Sequence, residues 1–287
     1  MLRSAQTPAG RPQPPWRLAR RRRVVVALLV ALALAGTAAA QRGRRFGGFF
    51  FRPPPNPPYD GAFQFCRIMF RQNPNGDGGG WSVDYPRADI NLMYRLSELT
   101  STSVSRDAQG HYNHRLYQLT DPELFSCPFI MMTEVGALSL DDQEAARLRE
   151  YLLRGGFLWA DDFWGEYAWS VWQREIAKAL PEYQIVDLPP AHPLFHMLYQ
   201  VDAVPQIPSI NFWYGSGGRT SERGPDSATP HARGIFDERG NLMVLITHNT
   251  DFGDAFEREG DSREYFNAFA GVGYAFGINA LLYAMSH

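Results

Sequence analysis

The chain has 287 residues, 28 of them basic and 30 acidic. Residues 1–40 hold seven of the basic residues and none of the acidic ones, so the remaining 247 or so carry a formal net charge of −9. That balance argues against nucleic acid and anionic membrane surfaces as partners, and the length suits one large domain with a full core.

Residues 1–40 read as an export signal. Arg17 and Arg20 to Arg23 form a positive start, and residues 24–35 are an apolar run too short to span a bilayer comfortably. Ala38, Ala39 and Ala40 supply the small residues of a cleavage site, which predicts a mature chain beginning at Gln41. An uncleaved anchor is the alternative. With cleavage, no transmembrane anchor remains, and the protein is expected in the periplasm or secreted. Residues 41–58 are rich in Arg, Gly, Phe and Pro, and the run PPPNPP fits neither a helix nor a central strand. They predict a disordered Pro/Gly-rich leader before a domain over residues 59–287.

Within that domain, residues 62–70 predict a first strand, followed by a Gly/Asn/Asp loop over 73–80. Leu92, Leu96 and Leu99 have helical spacing within residues 90–99. Residues 116–119 predict a short strand, and 129–133 a buried one with Gly136 in the turn beyond it. Ser139 with Asp142 resembles a capping box for the next helix, whose stripe is Ala145, Leu148 and Leu152 and whose stop is Gly155. Residues 157–160 then predict a strand, 164–180 a helix ended by Pro181, and 184–188 another strand. Residues 189–230 read mostly as loop. Residues 235–236 and 242–247 predict a hairpin, and 264–285 a last helix in which Gly271, Gly273 and Gly277 permit close packing. Alternating strands and helices imply a three-layer α/β sandwich with a mostly parallel central sheet. Cys66 and Cys127 lie in apolar strand-like runs and are expected as buried free thiols, with a disulfide as the alternative in an oxidising compartment.

Four segments carry a family resemblance: WSVDYPRADINLMYRLSELT, LTDPELF, LREYLLRGGFLWADDFWG, and NTDFGDAFE with the later YAFGINALLYAM. In this order they resemble the bacterial domain of unknown function 4159 family, from Ala62 to the C-terminus. The resemblance implies a class I glutamine amidotransferase-like fold near the trehalose-utilisation-type branch. It implies no activity. Relatives within larger membrane-associated proteins hint at assembly or scaffolding.

An amidotransferase needs a cysteine on a tight strand-to-helix elbow with a histidine beside it. Neither FCRI around Cys66 nor SCPF around Cys127 has that context, and no G-x-S-x-G elbow occurs. Ser216 in YGSGG has no preceding strand. Two acidic clusters remain: Asp161, Asp162 and Glu166 after one predicted strand, and Asp251, Asp254 and Glu257 after another. If parallel strands end at one rim, Gly136, Asp161, Asp162, Trp164, His248, Asn249 and Asp251 surround one cleft. Three readings stay open. The carboxylates cap helices and tie loops; or Asp251, Asp254 and Glu257 hold Ca²⁺ or Mg²⁺; or Asp161, Asp162 and Glu166, with His248 as general base, hydrolyse a saccharide or cell-wall glycan. One of Asp161 and Asp162 is expected to cap the following helix. His192 and His196 have ligand spacing but are expected to start a helix and pack. Of the tryptophans, Trp164 and Trp213 are the ligand candidates. The reading is of a non-catalytic binding or scaffolding domain, no resident cofactor unless Ca²⁺ or Mg²⁺, and an envelope protein or saccharide as partner.

Overall fold

The computed structural model describes residues 53–287, so the expected export signal and most of the expected leader lie outside the described residues. Seven strands form one sheet in the order β3-β1-β4-β6-β9-β8-β7. They are β1 (Phe65–Ile68), β3 (His114–Tyr117), β4 (Phe129–Thr133), β6 (Phe157–Asp161), β7 (Val186–Asp187), β8 (His231–Phe236) and β9 (Leu242–His248). Strands β3, β1, β4, β6 and β9 run parallel. Strand β8 returns antiparallel to β9, and β7 antiparallel to β8. A separate antiparallel pair joins β2 (Arg71–Gln72) to β5 (Leu138–Ser139).

Parallel strands require covered faces, and both faces are covered. On one lie α1 (Arg87–Leu99), α5 (Phe252–Glu257) and α6 (Arg263–Ser286), which bury Leu92, Phe252 and Phe276 against Trp159 and Leu245. On the other lie α2 (Asp142–Leu153) and α3 (Gly165–Ala179), which bury Leu148 and Trp172 against Leu158 and Ile246. Strand residues alternate between the two cores, as a pleated sheet buried on both sides demands.

Local sequence explains most boundaries. Gly155 ends α2 at φ +93°, a conformation that costs glycine nothing. The capping box sits two residues later than the sequence pattern suggested. Asp141 accepts from the Glu144 amide, and the Glu144 carboxylate accepts from the Asp141 amide. Ser139 is occupied in β5 instead. In α6, a Cβ at Gly273 or Gly277 would lie 2.9 Å from Ala255 or 2.8 Å from Phe256, whereas Gly271 faces open space. The predicted loop contains one short α-helix, α4 (Ile210–Gly215), and two 3₁₀ turns, Pro193–His196 and Gly224–Ser227.

One expectation needs correction. Cys66 and Cys127 form a disulfide, with Cα atoms 6.3 Å apart. Cys127 follows a 3₁₀ turn just before β4, which brings it beside β1. The two cysteines are therefore buried, as expected, but paired. Asn56 accepts from the Leu116 amide and donates to its carbonyl, each at 2.8 Å.

Candidate functional site

Strands β4, β6 and β9 are neighbours that end at the same rim. The residue following each is left-handed: Glu134 at φ 56°, Asp162 at φ 56° and Asn249 at φ 62°. A fourth, Asp84, lies in the loop before α1 at φ 61°. Non-glycine residues rarely adopt this backbone, and such strain concentrates at functional sites. These four are the only non-glycine residues with positive φ among the described residues.

Three buried carboxylates converge here. Asp84, Asp162 and Asp251 are 8 %, 4 % and 4 % exposed, and each offers an oxygen within 4.8 Å of the others. Asp84 also forms a second set with Asp254 and Glu257. Arg67 sets the position of Asp84. Its buried guanidinium pairs with Asp89 and donates to the carbonyls of Trp81 and Val83, fixing the loop that leads to Asp84. One carboxylate oxygen of Asp84, Oδ2, is buried without a hydrogen-bond partner. A Cβ at Gly253 would lie 2.2 Å from it, so the start of α5 approaches as closely as glycine allows. Burial, with like charge from neighbouring carboxylates, holds the carboxyls of Asp84, Asp162 and Asp251 well above the usual range.

The remaining acids are committed elsewhere. Asp161 accepts from Thr247 Oγ1 at 2.5 Å and from the amides of Phe252 and Gly253 at 2.9 and 3.2 Å. It therefore caps α5 across the sheet and leaves the helix after its own strand alone. That helix, α3, is capped by Asn249, which accepts from Gly165 at 2.8 Å, and by Asp226, which accepts from Glu166 at 3.2 Å. Within the triad, Asp251 is also the N-cap of α5, its Oδ1 accepting from the Asp254 amide. Asp254 accepts from the Ile210 amide at 2.5 Å and pairs with Arg258, as does Glu257. Glu166 is exposed and outside both sets.

His248 faces the α3 side of the sheet, away from the triad. Its ring lies against Phe163, Trp169 and His231, with Nδ1 near Arg233 and Nε2 near the Gly165 carbonyl. Burial lowers its pKa to about 3. Strand alternation puts Thr247 with Asp161 on one face and His248 on the other, so His248 is not a base for these carboxylates. Trp164 is buried and donates to Asp162 Oδ1 at 3.1 Å, which orients that carboxyl. Trp213 packs edge-on against Tyr265 and Phe269. Gly136 has no room for a ligand: a Cβ there would sit 2.7 Å from Ala168 and from the Asp77 carbonyl. Asn249 ties loops together, donating also to the Thr229 carbonyl at 2.8 Å. His192 caps a 3₁₀ turn, and His196 contacts Gln200 and the Pro190 carbonyl.

The sequence reading missed Asp84 and Glu134. Asp84 lies in WSVDYPRADI, the first segment of the family resemblance, where the acid before Tyr-Pro was the available signal. Glu134 directly follows β4 and accepts from the Gly79 amide at 2.9 Å. A Cβ at Gly78 would lie 1.9 Å from its Oε2, so the Gly-rich loop closes over it. Burial raises the Glu134 carboxyl to about 7, against the opposing Gly79 hydrogen bond.

The molecule is thus an α/β protein with a buried carboxylate triad at the carboxyl rim of its sheet. The chain matches the family described as Domain of unknown function (DUF4159) over residues 67–285, and it belongs to that family. No curated protein matches it.

Proposed function

We propose that this chain is an exported bacterial envelope protein whose amidotransferase-like domain is a non-catalytic binding domain, organised around one hard divalent cation held by Asp84, Asp162 and Asp251. The carrying observation is the orphaned Asp84 oxygen within a triad of buried acids. Three carboxylates buried together must stay protonated or share a cation. Ca²⁺ takes oxygens at about 2.3–2.6 Å, so two ligands on opposite sides of one ion lie at most about 5 Å apart. The 4.8 Å limit on the triad fits that span. Mg²⁺ needs a tighter set, at about 2.0–2.1 Å. Asp254 and Glu257 flank the ion as a second acidic layer.

The saccharide hydrolase loses support on the same geometry. Its proposed acids and base point apart: Asp161 is tied to α5, Glu166 is exposed and His248 is enclosed by aromatics. The disulfide is compatible with an oxidising compartment. N-terminal sequencing of the mature protein tests export and should begin at Gln41. Thermal unfolding of the chelator-stripped protein tests the binding function. Millimolar CaCl₂ should raise the midpoint, because only a ligand of the folded state stabilises it; an unchanged midpoint with both CaCl₂ and MgCl₂ would end this reading.

A further inference from the structure

At the opposite rim, where β1 and β4 begin, lies a cavity of about 380 Å³. Gln64, Cys66, Arg115, Ser126 and Tyr59 line it, with Ala284 and Met285 as its apolar wall. Arg115 pairs in register with Cys66 on the neighbouring strand, and Gln64 stands two residues before Cys66. All three side chains therefore share one face of the sheet.

Arg115 and Gln64 are both 4 % exposed, and both carry an unused polar atom. The Arg115 guanidinium donates from Nη1 to Tyr117 and Ser126 hydroxyls, at 3.0 and 3.1 Å. Its Nε has no acceptor, and no carboxylate pairs with it among the described residues. Gln64 Nε2 donates to Ser105 Oγ at 2.9 Å. That orientation is fixed. Ser105 gives its own proton to Asp60 at 2.6 Å and also receives the Asn113 amide, so it must accept from Gln64. Gln64 Oε1 is consequently an acceptor with no donor.

A buried guanidinium without an anion and an amide oxygen without a donor define a complementary ligand. We propose that this cavity binds the carboxylate end of a small acylated amino acid or peptide C-terminus. The ligand carboxylate meets the Arg115 guanidinium and its apolar side chain lies against Ala284 and Met285, while its neighbouring N–H reaches Gln64 Oε1 once that buried oxygen turns into the cavity. The volume is at the small end of the range of about 300–1,000 Å³ for ligand sites, which suits a ligand of that size.

The test is calorimetric titration of the mature chain with N-acetyl-L-alanine, alongside acetate and N-acetyl-L-alanine methylamide, all in EDTA so that the outcome is independent of any cation. N-acetyl-L-alanine should bind saturably. Losing the carboxylate, as the methylamide, or the guanidinium, as Arg115→Met, should weaken binding about tenfold, the worth of one charged hydrogen bond. Acetate, which offers no N–H to Gln64, should also bind more weakly. If Arg115→Met fails to fold, Arg115→Lys keeps the charge but loses the planar fork and should still weaken binding several-fold. Absence of saturable binding, or equal affinity for the methylamide, acetate or the folded Arg115 variant, would overturn the proposal.

Discussion

The carboxyls of Asp84 and Asp162 are buried within 4.8 Å of each other, although one precedes α1 and the other follows β6. Two groups of the same charge do not settle together without a compensating proton or cation. The fold holds them there by unrelated means. Arg67 fixes the loop of Asp84 through the Trp81 and Val83 carbonyls, and Trp164 orients Asp162.

The approach of α5 to Asp84 is testable directly. Gly253→Ala adds a Cβ that would lie 2.2 Å from Asp84 Oδ2. Alanine favours a helix over glycine by about 1 kcal/mol, so α5 itself should tolerate the change. The Asp84 carboxyl must move. Calcium affinity, measured by calorimetry, should fall at least several-fold in a variant whose helical circular dichroism is unchanged.

Asp161 is a structural cap. Asp161→Ala removes the acceptor of two amides at the start of α5 and of the Thr247 hydroxyl. Leaving buried donors unsatisfied costs about 1–3 kcal/mol each, so urea unfolding should show a loss of at least about 2 kcal/mol. A neutral result would mean that α5 finds other partners.

The disulfide closes a loop with 61 residues of sequence separation. Chain-entropy arguments give about 4 kcal/mol for a loop of that size, measured values running somewhat lower. The Cys66→Ser, Cys127→Ser double variant should unfold at clearly lower urea than the oxidised protein. Adding reductant to the wild-type chain should shift it in the same direction.

The pH dependence follows from the raised carboxyls. Burial raises Glu134 and Asp161 from ordinary values near 4 to about 7. Between those limits the folded chain binds more protons than the unfolded one, so stability falls as pH rises. The metal-free protein should therefore melt at higher temperature at pH 5 than at pH 8. Calcium should narrow that difference, since it favours the ionised triad. A metal-free midpoint that climbs from pH 5 to pH 8 would contradict the burial of these acids.

Much of this fold was legible because its signals are local. Gly155 marks the end of α2, the apolar run of β4 matches its strand residue for residue, and the hairpin after residue 230 follows the Asp237–Asn241 turn. The convergence of Asp162 with Asp251 followed from parallel strand ends at one rim. Asp84 was not legible, because 78 positions separate it from Asp162 and no periodicity links a loop to a distant strand end. The sides taken by Asp161 and His248 were also hidden. Side-chain alternation gives opposite faces, but only the packing of α3 and α5 says which face holds the acids. The cysteine pairing depended on β1 and β4 being neighbours, which composition does not encode.

Asp84, Asp162 and Asp251 are expected to share one cation. The most direct measurement is calorimetric titration of the chelator-stripped mature chain with CaCl₂, beside the Asp162→Asn and Glu166→Gln variants. The predicted result is one ion per chain for the wild type and for Glu166→Gln, whose side chain is exposed. Asp162→Asn should weaken binding at least about tenfold, the scale of one charged contact. Wild-type heats indistinguishable from buffer, or an Asp162→Asn variant that binds calcium as tightly as the wild type, would contradict a cation at this site.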